Sequence, residues 1–173
     1  MEHRAYGGAV LLEAEQPLPR RPQGVLVAGS AGAGKTTLAA RLSQMLDVPH
    51  VEIDGLFHGP MWSQRETFID EVKAFSARTA WITEWQYDAV RPLLAERADL
   101  LVWLDLSRAT VMRQVVRRTI HRRLRRQVLW NGNIEPSLWT IFTDPEHIVR
   151  WAWSTQHRTA HRIAALQADH RSW

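Results

Sequence analysis

Gly29-Ser30-Ala31-Gly32-Ala33-Gly34-Lys35-Thr36 follows the pattern G-x-x-x-x-G-K-[ST], and those residue types at that spacing point to one kind of chemistry. Glycines let the backbone curl so that successive N–H groups face one concavity, and a helix starting there adds the positive end of its dipole. A polyphosphate would be held by fixed partial charges along residues 29 to 34. Lys35 would reach the terminal phosphates and Thr36 would offer its hydroxyl to Mg²⁺, with Thr37 completing the candidate nucleotide-binding set. ATP with Mg²⁺ is the expected cofactor pair.

Three carboxylates close apolar runs further along. Asp54 ends "HVEID", Glu84 ends "AWITE" and Asp105 ends "DLLVWLD". In an open parallel sheet, ligands collect at the carboxyl ends of the strands. Asp54 is therefore the candidate to orient or deprotonate an acceptor, and Glu84 stands where a Mg²⁺-ordering acid is expected beside a phosphate loop. Thr36 and Glu84 are the expected metal-side residues. Asp105, just before "LSRAT", reads equally well as a helix cap.

The third feature is charge. Ser107 to Arg126 holds eight arginines and no acid. Phosphoryl transfer spreads negative charge over the equatorial oxygens, and an arginine placed there is worth about 10³ to 10⁵ in rate. On a helix, Arg118, Arg122 and Arg126 share one face, while Arg113 and Arg117 lie on the other side of an apolar stripe. A solvated helix face is the alternative for any one of them, and a nucleic-acid backbone is an alternative partner for the run as a whole.

The elements that must position these residues follow from periodicity. "GVLVAGSAGAGKTTLAARLSQML" reads as strand, loop and helix, with Leu38, Leu42 and Met45 on one helical face. "HVEID" predicts a second strand, and "SQRE" at Ser63 to Glu66 a capping box opening a helix with Phe68, Val72 and Phe75 inward. Ala80 to Glu84 predicts a third strand, followed by a helix from about Asp88, and Asp99 to Asp105 a fourth. The arginine-rich helix comes next, with Met112, Val116, Ile120 and Leu124 as its predicted inward stripe. "WNGN" (Trp130 to Asn133) should break it. Asp144 and Pro145 should open a last helix running to about Ala168. Continuous apolar strands alternating with helices predict a doubly wound, mostly parallel α/β sheet in a single domain. Residues 1–23 read as an extended lead-in, with a short strand at Ala9 to Leu12, and 24–173 as the domain.

Composition bounds the rest. The 173 residues are 45% hydrophobic with nine tryptophans, enough for one core. The absence of cysteine removes disulfides, thiolate nucleophiles and cysteine-based zinc sites. His157 and His161 have helical i, i+4 spacing, but no glutamate completes a metalloprotease pattern. Trp130 and Trp139 could stack on a base, although packing is the commoner use. A net charge of +4 suggests an anionic partner. No apolar stretch approaches the length a bilayer needs and no signal peptide is legible, so a cytoplasmic protein is expected, monomeric or homodimeric.

"GSAGAGKT", "IDGLFHGPMW", "WITEWQY", "ADLLVWLD", the arginine helix and "LWNGNIEP" together resemble the small P-loop kinases related to adenylate and shikimate kinases, and most of all their topology-modulation-protein or adenylate-kinase-like ATPase relatives. The resemblance covers roughly Val25 to Trp153. It implies an ATP-dependent phosphotransferase or ATPase with an acceptor region near Asp54 to Trp62 and a lid at about 107–140. It also implies that Lys35 and Thr36 bind phosphates and metal, Asp54 faces the acceptor and Glu84 supports metal or water, while Arg117, Arg118 and Arg122 lie over the transferred phosphate. The chain departs from those relatives at Trp85, where glycine is usual, at Ile134, where arginine is frequent, and in lacking an apolar run for a fifth strand. The reading is a kinase moving the γ-phosphoryl of ATP to a nucleotide or nucleoside. The alternative is a nucleotide-switched regulator that grips nucleic acid.

Overall fold

Three mainly apolar runs form the sheet, β1 (Gly24–Gly29) and β2 (Trp81–Glu84) buried throughout and β3 (Leu100–Leu104) partly buried at every position. The computed structural model describes residues 12–13, 15–124, 130–132, 159–166 and 168, with the backbone alone for 122–124 and Trp130. Among these residues the sheet has the order β2-β1-β3, all parallel, with β1 central and every residue of it buried. Asp99 fixes the entry to β3, its carboxylate accepting the N–H groups of Gln23 at 3.1 Å and Gly24 at 2.9 Å.

Alternation along β1 sends side chains to two cores. Val25 and Val27 pack under helix α1 (Lys35–Leu46) with Ala39, Val48 and Ile82. Leu26 and Ala28 face α2 (Ile53–Phe57), α3 (Phe68–Ser76) and α4 (Arg91–Arg97) through Ile53, Phe68, Val72 and Leu94. Residues 159–166 are helical and bring Ile163 into the same core. Each such fully buried aliphatic side chain is worth about 1.5–3 kcal/mol. Helices on both faces of a parallel sheet make the doubly wound α/β architecture the periodicity predicts.

Four local expectations are corrected. "HVEID" is not a strand: residues 49–51 run beside β2 for one bridge, His50 to Ile82, and the chain then turns into α2. A Glu84 oxygen accepts the Ile53 N–H at 3.2 Å and so caps the start of that helix. The predicted capping box at Ser63 does not open α3. Ser63 Oγ instead donates to the Pro60 carbonyl at 2.8 Å, closing a 3-10 turn at Pro60–Trp62. Arg65 pins this segment to α2 by its N–H to the Phe57 carbonyl at 3.0 Å, and α3 starts at Phe68. The helix expected from Asp88 starts at Arg91, because Tyr87 takes a left-handed backbone (φ 63°) and its carbonyl accepts from both Val90 and Arg91 at 3.1 Å.

The fourth correction concerns α5 (Arg108–Leu124). Its inward stripe is Val111, Val115 and Thr119, with Met112 partly buried against it, and not Val116 and Ile120, which are 39% and 41% exposed. Both stripes satisfy four-residue spacing, so spacing could not choose between them. Val111 and Val115 win because they pack on Ala31, and because Gly32 lacks the methyl that would collide with Val115. Ser107 Oγ accepts the Thr110 N–H at 3.3 Å, so Ser107 and not Asp105 caps α5. Residues 9–11 of the predicted first strand, most of "LWNGNIEP" and the first part of the helix predicted from Asp144 lie outside the described residues; the later part, 159–166, is helical as expected. The 3-10 turn at Trp130–Gly132 has left-handed Asn131 and Gly132, and Asn131 Nδ2 donates to the His58 carbonyl.

Candidate functional site: a phosphate cradle beside Asp54

The loop between β1 and α1 curls instead of extending. Ala33 N–H donates to the Ser30 carbonyl at 3.1 Å, and Gly32 and Gly34 hold φ +82° and +95°, a region that L side chains rarely adopt. Gly34 is the N-cap of α1, and nothing lies within 4 Å of where its Cβ would be. The first N–H groups of α1 have no partners within the helix and face that space as donors. Lys35 Nζ folds back onto the Ser30 carbonyl at 3.2 Å. Burial lowers its pKa; the charges of Asp54 and Glu84 act in the opposite sense, and those of Arg118 and Arg91 reinforce the lowering. Lys35 is thus surrounded by two acids and two arginines.

Glu84 is only 1% exposed, at the carboxyl end of β2. Its oxygens meet His50 Nε2 at 3.1 Å and Ile53 N–H at 3.2 Å. Burial by itself would raise its pKa, but the hydrogen bonds from His50 and Ile53 outweigh burial and lower it.

Asp54 sits in the first turn of α2. Its Oδ1 accepts the Tyr87 hydroxyl at 2.5 Å and the Gln86 amide, which leaves Oδ2 to accept a proton from an incoming group. Tyr87 is stacked on Phe57 at 3.9 Å, and its oxygen also meets His58 Nε2 at 3.2 Å. Burial, then the charge of Asp54, raises the tyrosine pKa, so Tyr87 stays a donor. Burial lowers the pKa of His58, against the pull of Asp54. Trp62 packs edge-on to His58 at 5.1 Å.

An apolar strand, a left-handed glycine loop and a helix carrying Lys35 and Thr36 at its start stand at the carboxyl edge of a parallel sheet. The chain has a P-loop fold. No family model matches it, and no curated protein matches it. Among solved structures it is similar to a gluconokinase from Sinorhizobium meliloti 1021, at 20% identity and a TM-score of 0.45, over 84% of this chain and 98% of that one. It is also similar to a shikimate kinase from Acinetobacter baumannii in complex with shikimate, at 14% identity and a TM-score of 0.44, over 83% of this chain and 93% of that one. Scores this low define no closer relationship, and what the site can do follows from its own geometry.

Asp54 in α2, Glu84 at the end of β2 and Arg118 in α5 lie close enough to Lys35, at the start of α1, for their charges to act on it. Thr36 is half-buried in the first turn of α1, while Thr37 beside it is exposed. Arg117 is not brought to Lys35. It is exposed on the outer face of α5, where it lines a shallow groove with Met112, Arg113, Val116, Ile120 and His121. The Arg122 side chain lies outside what the structure describes. Asp105 is exposed. Among the described residues no three His, Asp or Glu side chains are gathered as a metal cage, and no helix is long and apolar enough to cross a membrane. Sequence reasoning missed His50, Gln86, Tyr87 and Arg91. A signal for Gln86 and Tyr87 existed, since they directly follow Glu84 at a strand's carboxyl end.

Proposed function

We propose that the protein is an ATP-dependent kinase of small molecules that moves the γ-phosphoryl group to a nucleotide or nucleoside acceptor. The observation that carries this reading is the left-handed glycine loop that leads into α1 at Lys35, with the Asp54 carboxylate close enough for its charge to act on Lys35. A new bond forms between the acceptor oxygen and the γ-phosphorus, and the bond from that phosphorus to the β–γ bridging oxygen breaks. Asp54 Oδ2 takes the acceptor's proton, while Tyr87 and Gln86 hold the carboxylate in place through Oδ1. Lys35 leaves the Ser30 carbonyl and meets the negative charge that grows on the leaving phosphates.

Mg²⁺, when bound, neutralises phosphate charge. The hydroxyl of Thr36 and the carboxylate of Glu84 are the hard oxygen donors that would hold such an ion. Arg118 adds positive charge over the cradle from α5. The aromatic walls Phe57, Tyr87 and Trp62 suit a planar acceptor ring.

The test is an acceptor screen for ATP consumption across nucleosides, nucleotides and sugar acids. Purified protein that binds ATP yet converts no acceptor would discard the kinase reading. A second reading, a cytoplasmic regulator that grips nucleic acid, is favoured by Arg113, Arg117 and His121 standing exposed on the outer face of α5. It requires retention on immobilised DNA or RNA that weakens steeply with salt, and absence of retention at low salt would dismiss it.

A further inference from the structure

His58 and Tyr87 meet beside Asp54 in an order that their protons decide. His58 ends α2 one turn after Asp54, its backbone N–H donating to the Asp54 carbonyl at 3.0 Å. Tyr87 follows β2 in a left-handed conformation (φ 63°) and lies flat on Phe57, ring centroids 3.9 Å apart, with Phe68 edge-on at 5.3 Å. Its oxygen thereby stands between two polar atoms, Asp54 Oδ1 at 2.5 Å and His58 Nε2 at 3.2 Å.

A phenol has one proton, and an ionised carboxylate can only accept. The 2.5 Å contact has the short length of a charge-assisted O–H···O bond, so the Tyr87 proton lies toward Asp54. Burial, and then the Asp54 charge, raise the Tyr87 pKa and keep that proton on the phenol. The tyrosine oxygen therefore meets His58 with a lone pair, and the proton in that bond belongs to Nε2. Burial lowers the His58 pKa against the pull of Asp54, so above its ordinary value of 6.5 the ring is neutral and holds a single N–H. The opposite tautomer would set a bare Nε2 against the tyrosine oxygen. Two acceptors would then compete for one phenol proton, and Asp54 would lose part of the hydroxyl that fixes its Oδ1. Packing does not require this arrangement. The His58 ring meets Phe57 and Trp62 edge-on at 5.0 Å and 5.1 Å, contacts that an apolar side chain could also make.

We propose that His58 is a positioning residue whose Nε2–H holds the Tyr87 hydroxyl on Asp54 Oδ1, and so keeps Oδ2 for the acceptor's proton. The place of Asp54 is set by α2; His58 sets which way the phenol proton points. The effect on rate rests on the kinase reading, whereas the order of the hydrogen bonds does not.

Two measurements on the full chain test this. The first is a long-range ¹H–¹⁵N correlation spectrum of histidine-labelled protein at about pH 7.5, with His58→Gln identifying the His58 signals. A neutral ring in the Nε2–H tautomer is expected, and that preference should fade in Tyr87→Phe. An Nδ1–H tautomer or an imidazolium in the wild-type chain would overturn the proposal, and no variant has to fold for that result. The second is single-turnover transfer. His58→Leu should slow it about tenfold while affinity for a non-hydrolysable ATP analogue stays within about twofold. His58→Gln, which carries an amide N–H close to the Nε2 position, should recover most of that loss. In a Tyr87→Phe background His58→Leu should cost nothing further, because the histidine acts through the phenol. Equal losses for Leu and Gln, or a tenfold loss that persists without the phenol, would reduce His58 to packing. A wild-type chain that shows the Nε2–H tautomer yet converts no acceptor would remove the kinase reading and the positioning role with it; transfer that survives beside the wrong tautomer removes the positioning role alone.

Discussion

Gly32→Ala tests whether α5 is seated on the phosphate cradle. A methyl at Gly32 would lie 2.1 Å from Val115 Cγ2, and the backbone there holds φ +82°. The left-handed conformation costs a non-glycine residue about 1–2 kcal/mol, and forcing one methyl into a packed contact costs about 1–3 kcal/mol more. A loss of about 2–5 kcal/mol is expected, a large fraction of the roughly 5–15 kcal/mol that holds a domain together. Val115→Ala alone loses about 2 kcal/mol of burial. In the double variant Cγ2 is gone, and the nearest remaining atoms, Val115 Cβ at 3.4 Å and the Val111 carbonyl oxygen at 3.6 Å, are ordinary neighbours. The overlap then disappears while the backbone strain stays, so the two changes should couple favourably by about 1–3 kcal/mol. Urea unfolding followed by tryptophan fluorescence measures all three variants. Gly34→Ala is the control: its Cβ meets open space, so it should cost about 1–2 kcal/mol of strain independently of Val115. Additivity of Gly32→Ala and Val115→Ala within about 0.5 kcal/mol would refute the contact.

Lys35→Met should weaken ATP binding about tenfold or more with little change in urea stability, since among the described residues Lys35 Nζ hydrogen-bonds only to the Ser30 carbonyl; equilibrium titration with an ATP analogue reads it. Asp54→Asn should leave that affinity within about twofold and slow transfer to an acceptor by about 10² to 10⁴, as loss of a general base does in single-turnover assays. Glu84→Gln removes a carboxylate whose folded pKa lies below its ordinary value of 4.5. A depressed carboxyl pKa stabilises the fold above the unfolded value and loses that contribution as pH falls through the folded one. The wild-type advantage in urea midpoint should therefore be full at about pH 7 and shrink as pH drops below about 4.5.

The cradle was legible because its conformation is local: glycines at two left-handed positions and a lysine at a helix start specify it with little help from the rest of the chain. β1, β2 and β3 were legible for a related reason, each being an apolar run that only a doubly covered sheet can hide. "HVEID" misled because a run of five residues carries no period long enough to separate strand from helix, and the Glu84 carboxylate that starts α2 lies 31 positions away from Ile53. The inward face of α5 was illegible for want of its partner: Met112, Val116 and Ile120 repeat as regularly as Val111, Val115 and Thr119, and only the missing methyl at Gly32 decides. His58 and Tyr87 stand 29 positions apart, and nothing in sequence spacing joins them.

The two bonds of Glu84 bear on how such a site tolerates change. One oxygen starts α2 through Ile53 N–H, and the next residue of that helix is Asp54. The other meets His50, which is bridged to β2 through Ile82. Asp54 is thereby positioned from the end of a central-sheet strand, not by the loop that follows it. Its distance from the cradle is set by the hydrogen-bonded spacing of β2 and β1. Residues 58–67, by contrast, contain exposed Met61 and Trp62 in left-handed conformations and are held mainly by hydrogen bonds of Arg65 and Ser63. Substitutions there can reshape the wall that an acceptor meets while the reacting carboxylate stays where the sheet puts it.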